Sequence, residues 1–153
     1  MRLRAAEVVA APVEAAWAGL VDVDRLERRA RERDPALRRV PEGPAGPGTR
    51  WEMRVPVQGR ARRVTLEIVE MEPPRLVRMR ALVEGIVLRS ALTLEPLDAH
   101  RTALRLVADA EAAGLAGRLL LGALSLAQGQ VERRLASGLA AAARRIERER
   151  GAG

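Results

Sequence analysis

The segment from Ala112 to Glu149, AAGLAGRLLLGALSLAQGQVERRLASGLAAAARRIERE, decides the fold. Leu120, Leu124, Ala127, Val131, Leu135, Leu139, Ala142 and Ile146 recur in it at steps of three or four residues, which places them on one stripe of an α-helix. No proline interrupts the run. The spacing predicts a single helix of roughly 50 Å at 1.5 Å per residue, longer than a small domain needs unless something wraps it. The first half of the segment has a second apolar side: Leu115, Leu119, Gly122, Leu126 and Gly129 step along the face opposite the main stripe. Glycine inside a helix costs about 1 kcal/mol relative to alanine, so this side implies a close neighbour or a mobile segment. The loop Pro41 to Gly48 is the expected cover; a contact in a homodimer and a mobile mouth to a cavity are the alternatives.

Upstream of the helix the period changes. Trp51, Met53 and Val55 alternate with Arg50, Glu52 and Arg54, and the same period of two continues through Val64–Leu66–Ile68, Val77–Met79–Ala81, Leu88–Ser90–Leu92–Leu94 and Leu104–Leu106–Ala108. Turn signals at Gln58–Gly59, Pro73–Pro74, Glu84–Gly85 and Asp98–Arg101 separate these segments, as in an antiparallel meander with one apolar and one charged face. A first strand runs from Leu3 to Ala10. Pro12 then opens a short helix bearing Val13, Trp17 and Leu20, and Asp22 or Asp24 caps a second that ends at Asp34–Pro35. That second helix and its flanks, Asp22 to Asp34, hold five acids and five arginines and read as a solvated face. Ala36 to Val40 is a short strand, and PEGPAGPG, Pro41 to Gly48, is a loop.

At 153 residues the chain is expected to form one domain, residues 1–150, large enough for a true core. Cysteine is absent, which removes disulfides and thiol chemistry. The 27 basic side chains against 20 acidic ones give a net charge of +7. All the basic residues are arginine, and with abundant alanine, glycine and proline this matches GC-rich coding, so the arginines report on codons as much as on partners. Without Phe or Tyr and with two Trp there is little to stack on bases, and no helix-turn-helix or zinc pattern appears; no nucleic-acid partner is expected. The longest apolar run in the terminal helix falls well short of the about 20 residues a transmembrane segment needs, and the N-terminus lacks a signal-peptide layout, so the expected compartment is the cytoplasm.

Several stretches carry a family likeness: VVAAPVEAAWAGLVDVDRL, GPGTRWEMRV after the glycine-rich loop, VTLEIVEMEPPRLVRMR, and LTLEPLDAHRTALRLVADAE leading into the terminal helix. Together they resemble the START-like, or SRPBCC, superfamily, and within it the polyketide cyclase/dehydrase and lipid-transport family. The likeness covers essentially the whole chain. It implies an α+β helix-grip fold: a curved antiparallel sheet of about six or seven strands around a long C-terminal helix, with two short helices after the first strand, enclosing a cavity. It also implies a hydrophobic small-molecule ligand such as a lipid, isoprenoid or polyketide. The hairpin that usually carries a glycine pair before threonine reads Ala99-His100-Arg101-Thr102 here.

The candidate ligand-binding residues are those on the inward phases: Trp17, Trp51, Met53, Leu66, Met79, Ser90, Leu92, Leu106, Leu120, Leu124 and Gln128. Gln128 lies between Leu124 and Val131 on the apolar arc. A buried amide without a partner costs a few kcal/mol, so water, a sheet group or a ligand must satisfy it. Trp17 also serves as plain packing, and Ser90 as a hydroxyl bonded to backbone. His100, the one histidine, sits in a turn beside Asp98 and reads as solvated. No zinc-ligand set, Ser-His-Asp constellation or phosphate loop is present, so no metal, cofactor or catalytic residue is assigned. Cyclases of the resembled family work by shaping a reactive chain with few polar groups, which leaves cyclase or dehydratase chemistry as the alternative to carriage.

Overall fold

A computed structural model describes residues 1–151. The elements run β1 (Arg2–Val9), α1 (Val13–Leu20), α2 (Val23–Arg33), β2 (Arg38–Val40), β3 (Arg50–Val57), β4 (Arg60–Glu72), β5 (Leu76–Val83), β6 (Ile86–Asp98), β7 (Arg101–Ala112), α3 (Gly114–Leu126) and α4 (Gln128–Gly151). The seven strands form one antiparallel sheet in the order β1-β7-β6-β5-β4-β3-β2. Helices α1 and α2 carry the chain from one edge of the sheet to the other, and the meander β2 to β7 brings it back beside β1.

The turns follow their residues. Gln58–Gly59 and Glu84–Gly85 all have positive φ (51°, 75°, 28° and 83°), as a two-residue hairpin turn matching strand twist requires. Asp98 closes the β6–β7 turn by accepting from the His100 N–H at 2.8 Å and from Arg101 Nε at 2.9 Å. Asp22 caps α2, its carboxylate accepting from the Arg25 N–H at 3.1 Å. The outer face of the sheet is charged in rows: Arg50, Glu67, Arg80, Arg89, Asp109 and Arg2 are successive cross-strand neighbours.

The terminal helix departs from the expectation. It breaks at Ala127 (φ −102°, ψ 16°), whose N–H turns back to the Leu124 and Ser125 carbonyls. The hydrophobic spacing runs through the break without a signal. The break lets two helices meet different demands. α3 presses Leu120 onto Ile86 and Ala110, with Leu121 and Leu124 beside them. α4 lies along the open edge of β1, where Gln128 Nε2 donates to the Arg2 carbonyl (2.8 Å) and Glu132 accepts from the Arg4 N–H (2.8 Å). Further along, Arg144 donates to the Val8 carbonyl (3.3 Å) and Glu147 accepts from the Ala10 N–H (2.8 Å). The edge strand is thereby blunted by side chains instead of by another strand.

A second departure concerns the outer side of α3. The Pro41–Gly48 loop does not cover it: Ala45 packs with Leu37, Trp51 and Ile68 at the opposite edge of the sheet, and Leu115, Leu119 and Leu126 remain exposed. The tight helical glycine here is Gly117. A Cβ added there would stand 2.0 Å from the Gly85 carbonyl oxygen, whereas one at Gly122 would meet nothing.

Two outcomes follow for stability. Gly117→Ala forces the α3 backbone off the β5–β6 turn and should cost about 1–3 kcal/mol by urea unfolding, while Gly122→Ala should be neutral or stabilising. Hydrogen bonding to Arg62 holds the Glu84 carboxylate below its ordinary range, the His100 N–H followed by Arg101 does the same for Asp98, and Arg2 does so for Asp109. Because these carboxylates are depressed on folding, their contribution is full above the unfolded values of about 4 and is lost as pH falls through the lower folded values. Thermal unfolding from pH 7 down to pH 2 should show this loss, and Asp98→Asn should flatten it.

Candidate functional site

Buried hydrophobic residues on the helix-covered side of the sheet fall into three separate clusters. Val9, Val13, Leu94, Leu104, Ala143 and Ile146 join β1, β6 and β7 to α1 and α4. Leu37, Trp51 and Ile68 lie at the other edge, with Val23 and Ala30 of α2 against them. Ile86, Ala110 and Leu120 lie under α3. The strand residues between these clusters, Met53, Leu66, Met79, Leu92 and Leu106, are only half-buried because no large side chain fills the space in front of them.

That space is a cavity of about 400 Å³, within the roughly 300–1,000 Å³ of small-molecule sites. Seven of the eleven candidates line it: Trp51, Met53, Leu66, Met79, Ser90, Leu92 and Leu106. They come from β3 to β7, and the cross-strand pairs Trp51–Leu66, Met79–Ser90 and Leu92–Leu106 set their register. The two short helices close one end, as the family likeness implies, but the residues they bring to the cavity were not among the candidates. Leu20, Val21, Val23, Leu26, Glu27 and Ala30 close the cavity from the α1–α2 region, and Leu37, Ile68, Met71 and Val77 complete the wall.

Four candidates lie elsewhere. Trp17 packs at the margin of the α1–α4 cluster and borders a shallow groove with Arg39, Pro44 and Met71. Leu120 and Leu124 belong to the cluster under α3. Gln128 finds its partner in the Arg2 carbonyl, so of the three ways to satisfy its amide the sheet group is the one used. His100 is exposed in its turn.

Only Glu27 and Ser90 bring polar side chains to the cavity wall. Glu27 is buried, and both of its oxygens are engaged. One accepts from Arg31 Nη2 at 2.8 Å and the other from Arg39, which also bonds Asp24 at 2.7 Å and the Gly43 carbonyl at 2.9 Å. The hydrogen bonds that Arg39 donates to Asp24, and then to Glu27, raise its pKa above its already high ordinary value, so the guanidinium stays charged. It rests 6.0 Å from the centre of the Trp51 ring, its direct cross-strand neighbour. Arg39 Nε and Trp51 Nε1 are buried donors without an acceptor among the described residues. This cluster ties α2 and the Pro41–Gly48 loop to the β2–β3 edge. The sequence did hold a signal for it: Val23, Glu27 and Ala30 fall on one helical stripe, an acid between two apolar residues.

An antiparallel sheet against a C-terminal helix, with an apolar cavity roofed by two short helices, defines the helix-grip class. Within that class the chain belongs to the polyketide cyclase / dehydrase and lipid transport family, whose model matches residues 1–147. No curated protein matches significantly. Among solved structures, the Zhui aromatase/cyclase from Streptomyces sp. R1128 is 22% identical, with 97% of this chain and 94% of that one covered and a TM-score of 0.71. A Thermus thermophilus protein is 20% identical over 97% and 99%, also at 0.71. Norcoclaurine synthase from Thalictrum flavum, in complex with dopamine and hydroxybenzaldehyde, is 12% identical over 97% and 87%, at 0.68. These likenesses establish a shared fold. Among the described residues no helix is long and apolar enough to cross a membrane.

The ion pairs of α2 make a sharp contrast testable. Glu27→Ala leaves Arg39 with Asp24 and the Gly43 carbonyl as its remaining partners and should cost about 1.5–3 kcal/mol in urea unfolding. Arg31→Ala removes a half-exposed partner of the same carboxylate and should cost under about 1 kcal/mol.

Proposed function

We propose that the protein binds an apolar or amphipathic small molecule, of the lipid, isoprenoid or polyketide class, in the cavity between α2 and strands β3 to β7. The observation that carries this reading is the cavity itself, whose lining side chains are apolar except for Glu27 and Ser90. Burying apolar surface there is worth about 25 cal/mol per Å². Three methionines in the wall, Met53, Met71 and Met79, suit a ligand of irregular shape because their side chains adapt. The norcoclaurine synthase complex supports small-molecule occupancy as a use of this fold. Cyclase or dehydratase chemistry on a polyketide-like chain would engage the Ser90 hydroxyl, the uncharged polar group in the wall. The same reading assigns this binding to the cytoplasm.

Native mass spectrometry and thermal shift against extracted lipids and small polyketides test the reading. Wild type should retain a ligand and gain thermal stability. Leu66→Trp, which fills the cavity from its wall, should weaken binding by at least about tenfold while the protein still unfolds cooperatively. Equal binding by both proteins, or no ligand on wild type, would refute the cavity as the site. Ser90→Ala should leave affinity within about threefold if carriage is the whole function.

A further inference from the structure

Among the described residues, α3 carries the large hydrophobic side chains most open to solvent: Leu126 is 94% exposed, Leu115 73% and Leu119 69%. They follow one side of the helix, with Gly122 between them leaving open space. The opposite side is already used, since Leu120 and Leu124 pack on Ile86 and Ala110. The leucine ridge therefore has no role in the packing of this chain.

The charge around the ridge has one sign. From Ala112 to Val131 there is no acidic residue, and Arg118 flanks the leucines. Arg133 and Arg134 follow, exposed, in the second turn of α4 beyond the break at Ala127. Among the described residues none of these three arginines has an ion pair. The nearest acids are turned elsewhere: Glu111 toward Arg89, and Glu132 onto the Arg4 N–H.

We propose that α3 docks on an anionic lipid surface, with Leu115, Leu119 and Leu126 inserted at the headgroup boundary and Arg118, Arg133 and Arg134 against lipid phosphates. An exposed apolar ridge bordered by cations is what an interfacial helix presents to such a surface. A second copy of this chain fits less well. A two-fold contact along the ridge would bring the arginines of both copies together with no carboxylate to neutralise them. The position also suits cargo exchange. Leu88 of β6 packs in the cluster beneath α3 and stands two residues from Ser90, which lines the cavity. That purpose rests on the cavity reading; the docking does not.

Co-sedimentation of the full chain with vesicles decides it, using phosphatidylcholine alone or with one-third phosphatidylglycerol, at about 50 and 500 mM salt. Wild type should bind the anionic vesicles at low salt at least about tenfold more tightly than the neutral ones, and high salt should reverse most of the gain. Leu126→Glu should weaken binding by at least about tenfold with unchanged thermal unfolding, because that side chain touches almost nothing in the folded chain. Arg118→Glu with Arg133→Glu should abolish the preference for anionic vesicles. No vesicle binding by wild type, or equal binding by Leu126→Glu, would overturn the proposal. So would a wild-type dimer in sedimentation velocity that Leu126→Glu dissociates, which would assign the ridge to a second copy. Ligand capture in native mass spectrometry without vesicle binding would sink the docking alone. Vesicle binding without ligand capture would support the docking and sink the cavity alone.

Discussion

The outer edge of β1 is the constraint on which the rest of the structure depends. β1 pairs with β7 on one side, and its other side would otherwise present a row of free N–H and C=O groups. α4 satisfies that row. From Gln128 to Glu147 the helix rises about 28 Å, and from Arg2 to Ala10 the strand advances about 26 Å, so the two can run side by side in step. Gln128, Glu132, Arg144 and Glu147 reach the backbone at Arg2, Arg4, Val8 and Ala10, every one an even-numbered position on the unpaired side. Gly19 allows the same helix to press Ile146 against α1, where a Cβ would stand 2.5 Å from Ile146 Cγ1. Polar bonds on one side of α4 and apolar contacts on another hold it at the β1 edge.

A helix committed to one edge leaves the middle of the sheet short of cover. In a chain with no Phe or Tyr, Trp51 is the one aromatic side chain that projects from the described strands, and it does not fill the gap. The core accordingly divides into three clusters, each made where a helix touches the sheet, and the cavity is what lies between them. The break at Ala127 belongs to the same logic. α4 must align with β1, while α3 must press on the β5–β6 turn and β7, and one straight helix does not serve both directions.

Much of this was legible in the residues. The strands could be read because one face of the sheet is solvated, so that arginine and glutamate alternate with apolar side chains. The glycines at positions 59 and 85 marked hairpins because φ is positive there. Seven cavity residues could be read from inward phase alone. The misses came from tertiary partners that no local pattern encodes. Gln128 was correctly marked as an amide in need of a partner, but the partner lies 126 positions away in β1. Glu27 sits in a run of balanced charge that looks solvated, and its burial comes from Arg39 on a strand beyond the next turn. Gly117 carries no periodic signal, since its requirement is a carbonyl on another element.

The helices α2 and α3 are of opposite character. α2 is heavily charged, and few of its residues are apolar. Its hold on the sheet runs through Glu27 and Asp24 to Arg39, and its hold on α4 through Arg25 to Glu149. Leu26 lines the cavity and is still 54% exposed, so the roof is thin at that point. Ion pairs lose less than apolar contacts do when water reaches them, because water solvates the separated charges, whereas exposed apolar surface costs free energy in proportion to its area. α2 is therefore held to the sheet by charge as much as by apolar packing. α3 is the reverse, with a single charge, a tight backbone contact at Gly117 and apolar packing beneath it. It holds its place on the sheet and turns its unused leucines outward. The charged helix over the cavity and the helix with the open leucine ridge are thus separate elements, each held to the sheet by a different kind of contact.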